Sequence, residues 1–308
     1  MTTLLLTHPA CLEHDPGRHH PESPQRLRAV LAALDGPDFA GLERREAPEA
    51  AIADLLRVHP RSHIDRVLSA VPQSGHAALD ADTILSPGSA IAALHAAGAV
   101  AAAVDAVVEG AADNAFCAVR PPGHHAEPRR AMGFCLFNNI AIGAMRARQG
   151  HGLARVAVVD FDVHHGNGTQ AAFWDDASLF YASTHQSPLY PGTGAVSERG
   201  VGNIVNAPLP PMAGSREFRL AMTRHILPAL DAFRPELVLI SAGFDAHARD
   251  PLAQLMLDDA DYVWVTEQLV ETAARHAGGR LVSTLEGGYD LAALGRCAAA
   301  HLRVLMAV

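Results

Sequence analysis

Short apolar runs rich in β-branched residues alternate along this chain with longer stretches of helical period. The runs at 3–6, 115–119, 156–161, 179–183, 203–206, 237–241 and 281–285 read as strands. The stretches 24–34, 52–56, 61–70, 88–108, 138–148, 169–173, 215–233, 259–276 and 291–305 read as helices. Such alternation predicts βαβ units, and with them an α/β fold built on a mostly parallel sheet flanked by helices. No repeat, low-complexity linker or break in composition interrupts it, so a single domain over 1–308 is expected.

Four of the predicted strands end alike. One runs into Arg120-Pro-Pro-Gly-His-His125, the next into Asp162-Val-His-His-Gly-Asn-Gly168. The other two run into Ala242-Gly-Phe-Asp-Ala-His247 and Glu286-Gly-Gly-Tyr-Asp290. Ligands of open parallel sheets bind beyond the carboxyl ends of the strands. Four loops far apart in sequence are therefore expected to converge.

Composition narrows the chemistry. Apolar residues make up 49% of the 308, which fits a soluble globular protein and not a disordered one. No apolar run spans a bilayer, since the longest candidate, 91–108, is interrupted by His95 and Asp105. The N-terminal segment has no basic region ahead of its short apolar stretch, so a cytoplasmic location is expected and no membrane partner. Cys11, Cys117, Cys135 and Cys297 form no Cys-x-x-Cys pair and read as reduced thiols. A net charge of −9 argues against nucleic-acid binding and leaves room for cationic substrates. All 24 basic residues are arginine, which excludes a Walker A lysine, a Schiff-base lysine and a Ser-x-x-Lys nucleophile.

The polar loops carry a metal-type pattern. In Asp160-Phe-Asp162-Val-His164 alternate positions are polar, so an extended strand end would place them on one face. Asp and His suit zinc, and a catalytic zinc keeps three protein ligands and an open position for water. Asp162 and His164 supply two. Asp245 is the best third, with His247 as a rival, and Asp160 becomes a supporting group. His124 and His125 titrate near neutrality and suit proton transfer, given partners such as Asp160 and Asn167. An Asp partner stabilises an imidazolium more than an Asn does, so the two histidines should differ in basicity. Tyr289 follows two glycines and could donate to an oxyanion. Gly133-Phe134 and Tyr190 bring aromatics into loops, as a lined channel or as core packing.

These motifs, together with Gly133-Phe-Cys-Leu-Phe-Asn-Asn139, Tyr190-Pro-Gly-Thr-Gly194 and His19-His-Pro-Glu-Ser-Pro-Gln-Arg26, resemble the zinc-dependent histone deacetylase family. They run in family order along nearly the whole chain and look like the class II and bacterial amidohydrolase branch. The resemblance implies an arginase-like α/β fold with a central eight-stranded sheet. It implies zinc on Asp162, His164 and Asp245, acid–base roles for His124 and His125, and an oxyanion donor in Tyr289. The implied activity is removal of acetyl or similar acyl groups from acyl-lysine or other acylated amines. An acyl tunnel would lie between Phe134 and Tyr190, with Gly133 in its wall.

Structural K+ or Na+ is also implied, at Asp160, Asp162, His164, Ser183 and Thr184. A second such site is expected near Phe173, Asp176, Leu179 and Asn203. Leu252 stands where the polyamine-selective branch carries an acid, which disfavours acetylpolyamines. Asp82 reads as a substrate-amide acceptor or as a turn residue. A dinuclear manganese ureohydrolase would need acids at positions occupied by Gly166 and His247. A non-catalytic binding protein is the remaining alternative, and the oligomeric state is open.

Overall fold

The computed structural model describes residues 2–307. Eight strands form the main sheet: β1 (Thr3–Thr7), β2 (Glu43–Glu46), β3 (Asn114–Cys117), β4 (Val156–Asp160), β5 (Leu179–Gln186), β6 (Ile204–Leu209), β7 (Leu237–Ala242) and β8 (Leu281–Leu285). Their order is β2-β1-β3-β8-β7-β4-β5-β6, and every neighbouring pair is parallel. Helices cover both faces. That is why the central strands, Val-Ala-Val-Val-Asp in β4 and Leu-Val-Leu-Ile-Ser-Ala in β7, are buried at every position.

Seven of the eight strands fall on the predicted apolar runs. The exception is β2, whose sequence is Glu-Arg-Arg-Glu. It lies at the sheet edge and pairs only with β1, Leu4 opposite Glu43. A charged edge strand resists pairing with other chains, and the same charges remove the apolar signature of a strand.

Two predicted helices contain π turns. Arg146–Gly150 closes the first, and Met222–Ile226 joins Ser215–Ala221 to Leu227–Phe233. Pro228 has no N–H to give the Arg224 carbonyl, so the ordinary ladder cannot pass that point unchanged. The helix Ser89–Val108 is long and apolar enough to cross a membrane, yet it is mostly buried within this fold. Its His95 donates Nδ1 to the Ala47 carbonyl at 2.8 Å, a satisfied core histidine.

The strand order positions the site. β3, β8, β7 and β4 are consecutive neighbours at the middle of the sheet, and these are the four strands with polar loops. Cys117 is level with Thr284, Leu285 with Ala242, and Asp160 with Ser241. The four loops therefore leave the sheet at one height and side by side.

Candidate active site

β4 ends at Asp160, so the expected extended face does not continue to His164. Turn hydrogen bonds take its place. Asp160 Oδ1 accepts from Asp162 N at 3.1 Å, and Asp162 Oδ1 from His164 N at 2.9 Å. Short carboxylates bonding two residues ahead coil the chain just past the strand. From the β7 loop, Asp245 Oδ1 accepts from Val163 N at 2.8 Å, which locks the two loops together. His164 Nδ1 then lies 3.1 Å from both Asp162 Oδ1 and Asp245 Oδ2.

All three side chains are buried, and one ligand atom from each lies within 4.8 Å of the others. Burial opposes charging the His164 ring, but the two carboxylates outweigh it and push its pKa up to about 10. Two carboxylates facing one imidazole leave excess negative charge in a dry place, which a divalent cation would neutralise. The donor set fits a zinc-type ion.

Glycines make this approach possible. A Cβ at Gly243 would lie 2.1 Å from Asp162 Oδ2, and one at Gly287 would lie 2.1 Å from Asp245 Oδ2. The Gly287 N–H also donates to Asp162 Oδ2 at 2.7 Å. Gly287→Ala is therefore expected to weaken metal binding by about 10–100-fold, the usual effect of disturbing a group behind a ligand. Competition against a chromophoric chelator measures it, and unchanged affinity would contradict this packing.

His124 and His125 sit beside the cluster with ring centroids 4.0 Å apart. Their partners differ, Asp160 Oδ2 for His124 Nδ1 and Asn167 Oδ1 for His125 Nδ1, each at 2.9 Å. Burial disfavours charge on both. At His124 the Asp160 and Asp162 charges outweigh burial and hold the pKa well above the ordinary value. At His125 burial, then the positive charges of His124 and His164, hold it well below. Adjacent imidazoles are thus driven apart in basicity.

Three supporting groups escaped the sequence reading. Glu286 Oε2 accepts from Gly123 N at 2.7 Å and His124 N at 3.2 Å, fixing the histidine turn. Tyr181 donates to Asp160 Oδ2 at 3.1 Å and shares that oxygen with His124. Arg26 binds the Glu286 and Gly288 carbonyls and lies 4.8 Å from the Tyr289 ring centre. Buried Glu22 pairs with Arg26 and with Arg120. Glu22, Arg26, Arg120 and Glu286 stood inside recognised motifs and Tyr181 inside a predicted strand, but only the folded chain shows what each touches.

Tyr289, Phe134, Tyr190, Gly133, Leu252, Asp82, His125 and His164 line one cavity of ≈ 70 Å³. That is about twice the share of one water in the liquid, so it admits a short acyl chain. Phe134 holds φ at 68°, a left-handed conformation that costs a side-chain residue on the order of 1–3 kcal/mol. Gly133 has φ 57°, and a Cβ there would meet His125 Cδ2 at 2.5 Å. A wider groove of ≈ 300 Å³ lies near Asn114 and Leu281, at the opposite end of the strands from these residues.

Asp250 ties two walls of the cavity together. Its Oδ2 accepts from Tyr289 N at 2.7 Å and its Oδ1 from Leu252 N at 3.0 Å. Asp250→Ala is expected to lower kcat about 10-fold or more through misplacement of Tyr289, with metal content unchanged. A variant that lost melting temperature but kept kcat and acyl-chain preference would show a purely structural role.

His247 does not join the cluster. Its Nδ1 accepts from Arg249 N at 3.1 Å, so its proton sits on Nε2, which lies 3.0 Å from Asp259 Oδ1. That Nε2 has no lone pair for a metal. The same bond disposes of a second metal site at His247, Asp259 and Cys297, where Arg296 also pairs with Asp259.

The structure brings residues of both proposed cation sites together. Asp160 and Ser183 are register partners at the ends of β4 and β5. At the second location, where a further cation was expected, the Asn203 side chain itself contacts the three carbonyls.

A buried Asp–His–Asp cluster and two unequal histidines at the floor of a narrow cavity are the equipment of a hydrolase. The family model for the histone deacetylase domain matches residues 20–305. A histone deacetylase-like amidohydrolase of Pseudomonas aeruginosa is 44% identical over 295 residues, 94% of this chain and 77% of the relative. A probable deacetylase of Methanothermobacter thermautotrophicus is 43% identical, over 93% of this chain and 86% of its own. The crystal structure of the HDA15 HD domain matches with a TM-score of 0.95 at 37% identity, covering 99% of this chain and 88% of the other. The chain belongs to the histone deacetylase family and is an amide-cleaving hydrolase. Membership implies a metal cofactor and an acylated substrate, and it sets the ureohydrolase and binding-protein readings aside.

Proposed function

We propose that this protein is a zinc-dependent deacylase acting on acetyl-lysine or similarly small acylated amines, with Asp162, His164 and Asp245 as metal ligands. The observation that carries this is that the buried Asp162–His164–Asp245 cluster meets, through His164, an acyl-sized cavity that His125 and Tyr289 also line. Zinc bound there would polarise the amide carbonyl and acidify water. His125, kept neutral, accepts a proton from the attacking water and passes it to the leaving amine. His124, held protonated by Asp160, adds positive charge beside the reacting carbonyl. Desolvation keeps the Tyr289 phenol neutral, so it donates to the developing oxyanion. Phe134 and Tyr190 flank the acyl-bearing stem and exclude water.

Leu252 contributes an apolar side chain to the cavity, and Asp82 is the one acid among its described lining residues. That supports an acyl-lysine peptide or small amide over an acetylpolyamine, whose ammonium groups need close carboxylates. The carbonyls of Asp162 and His164 accept no hydrogen bond among the described residues. With Asp160, Ser183 and Thr184 they suit one structural K+ or Na+. The test is metal analysis together with turnover of acetyl-lysine peptides, acetylpolyamines and small acylamides, compared by kcat/KM. A preparation with stoichiometric zinc and no amidase activity on any of them would falsify the proposal.

A further inference from the structure

Asn203 immediately precedes β6 and is buried. Its side-chain Nδ2 lies 2.9 Å from the Phe173 carbonyl, 3.0 Å from that of Asp176 and 2.7 Å from that of Leu179. Phe173 ends the helix Asn167–Phe173, and Leu179 opens β5. The three carbonyls thus belong to one connection and point at one atom.

The orientation of the amide is fixed from its other end. Asn203 Oδ1 accepts from Val201 N at 3.1 Å. Turned over, the amide would set its oxygen against three carbonyl oxygens and its NH2 against an N–H. The turn is built for this contact, because a Cβ at Gly200, which has φ +53°, would lie 2.7 Å from Asn203 Oδ1.

Three carbonyl oxygens within about 3 Å of one point form the shell that replaces a cation's water. Here the centre of that shell is an amide nitrogen. We propose that the Asn203 carboxamide takes the place of a monovalent cation in this chain, so that the connection from Phe173 to Leu179 is closed by hydrogen bonds from a tethered donor and not by an ion. The two N–H groups, one of them shared, satisfy carbonyls left over at a helix end. A tethered donor does not dissociate, so this closure is independent of salt concentration, whereas a bound ion stabilises by mass action.

The location matters to the site although it lies outside it. The helix carries Asn167, the partner of His125. β5 carries Tyr181, which donates to Asp160. Asn203 therefore fixes the spacing of two elements that orient the catalytic histidines. This inference is separate from the zinc chemistry and from the cation at Asp160.

Crystals soaked in thallium(I), read by anomalous scattering, test it directly. The expected map has no thallium among the carbonyls of Phe173, Asp176 and Leu179, with the Asn203 amide in place. A thallium peak there with Asn203 turned away would overturn the proposal. A peak, or none, at Asp160 and Ser183 bears only on the other cation. The second arm compares wild type with Asn203→Ala in tetramethylammonium buffer. The variant should melt several degrees lower and regain that loss as K+ is added, with a larger K+ response than wild type. A loss of equal size at every K+ concentration would show that the amide and the ion are not equivalent. If the variant does not fold, the wild-type map decides alone.

Discussion

Asp245→Ala is expected to leave the folded protein without stoichiometric metal and to lower kcat/KM on the order of 10³-fold or more. The size follows from the chemistry lost, since a Lewis acid that also acidifies water contributes several kcal/mol to the barrier. Asp245 performs two tasks that one variant does not separate. Oδ2 faces His164 Nδ1, and Oδ1 accepts from Val163 N. Asp245→Asn retains an acceptor for Val163 while removing the charge. Metal loss in both variants assigns the defect to ligation, and loss in Asp245→Ala alone assigns it to the loop. His247→Ala is the control. Its Nε2 is committed to Asp259, so metal content should not change. Elemental analysis after gel filtration reads all three, and unchanged zinc in Asp245→Ala would remove it from the ligand set.

The same residues show what a sequence displays and what it conceals. Period and composition displayed the parallel sheet, because buried central strands must be apolar throughout. They concealed β2, because an exposed edge strand needs no apolar face. The polar strand ends were visible as motifs, and the strand order made neighbours of the four that carry them. The geometry past Asp160 was not visible. A one-residue difference in where a strand stops decides between an extended face and a turn, and the turn is held by carboxylates already counted as ligands. His247 was ambiguous for a similar reason. Its residue type suits a metal, and only the Arg249 N–H on its Nδ1 shows that Nε2 keeps a proton. The support given by Glu286, Tyr181 and Arg26 depends on contacts from other strands and helices. No local pattern encodes those. Asn203 shows what a motif carried across residue by residue leaves open, the direction in which a side chain points. Its position in the sequence suits a carbonyl cage, and only the folded chain shows its Nδ2 against the carbonyls of Phe173, Asp176 and Leu179.

Tyr289→Phe and His125→Ala should both cut turnover with zinc retained, and the way they do so should differ. The Tyr289 ring is set by Arg26 at 4.8 Å and by Phe134 at a centroid distance of 6.0 Å. Its backbone is set by Asp250. A phenylalanine keeps those contacts, so only the hydroxyl donor is lost. The expected fall in kcat is about 10²–10³-fold with KM nearly unchanged, the cost of removing one oxyanion donor. His125→Ala should cost about 10²–10⁴-fold, the range for a positioned acid–base group.

The two losses respond differently to the leaving group. A proton donor matters less when the departing group is a weak base, whereas an oxyanion donor acts before the leaving group departs. Part of the His125→Ala deficit should therefore disappear on an aryl ester, while the Tyr289→Phe deficit stays constant. Removing both residues should cost less than the product of the single losses, because they serve one transition state. Full activity in either variant would break that role assignment. A His125→Ala deficit equal on amide and ester would move proton delivery to another group, with His124 the nearest candidate at 4.0 Å between ring centroids.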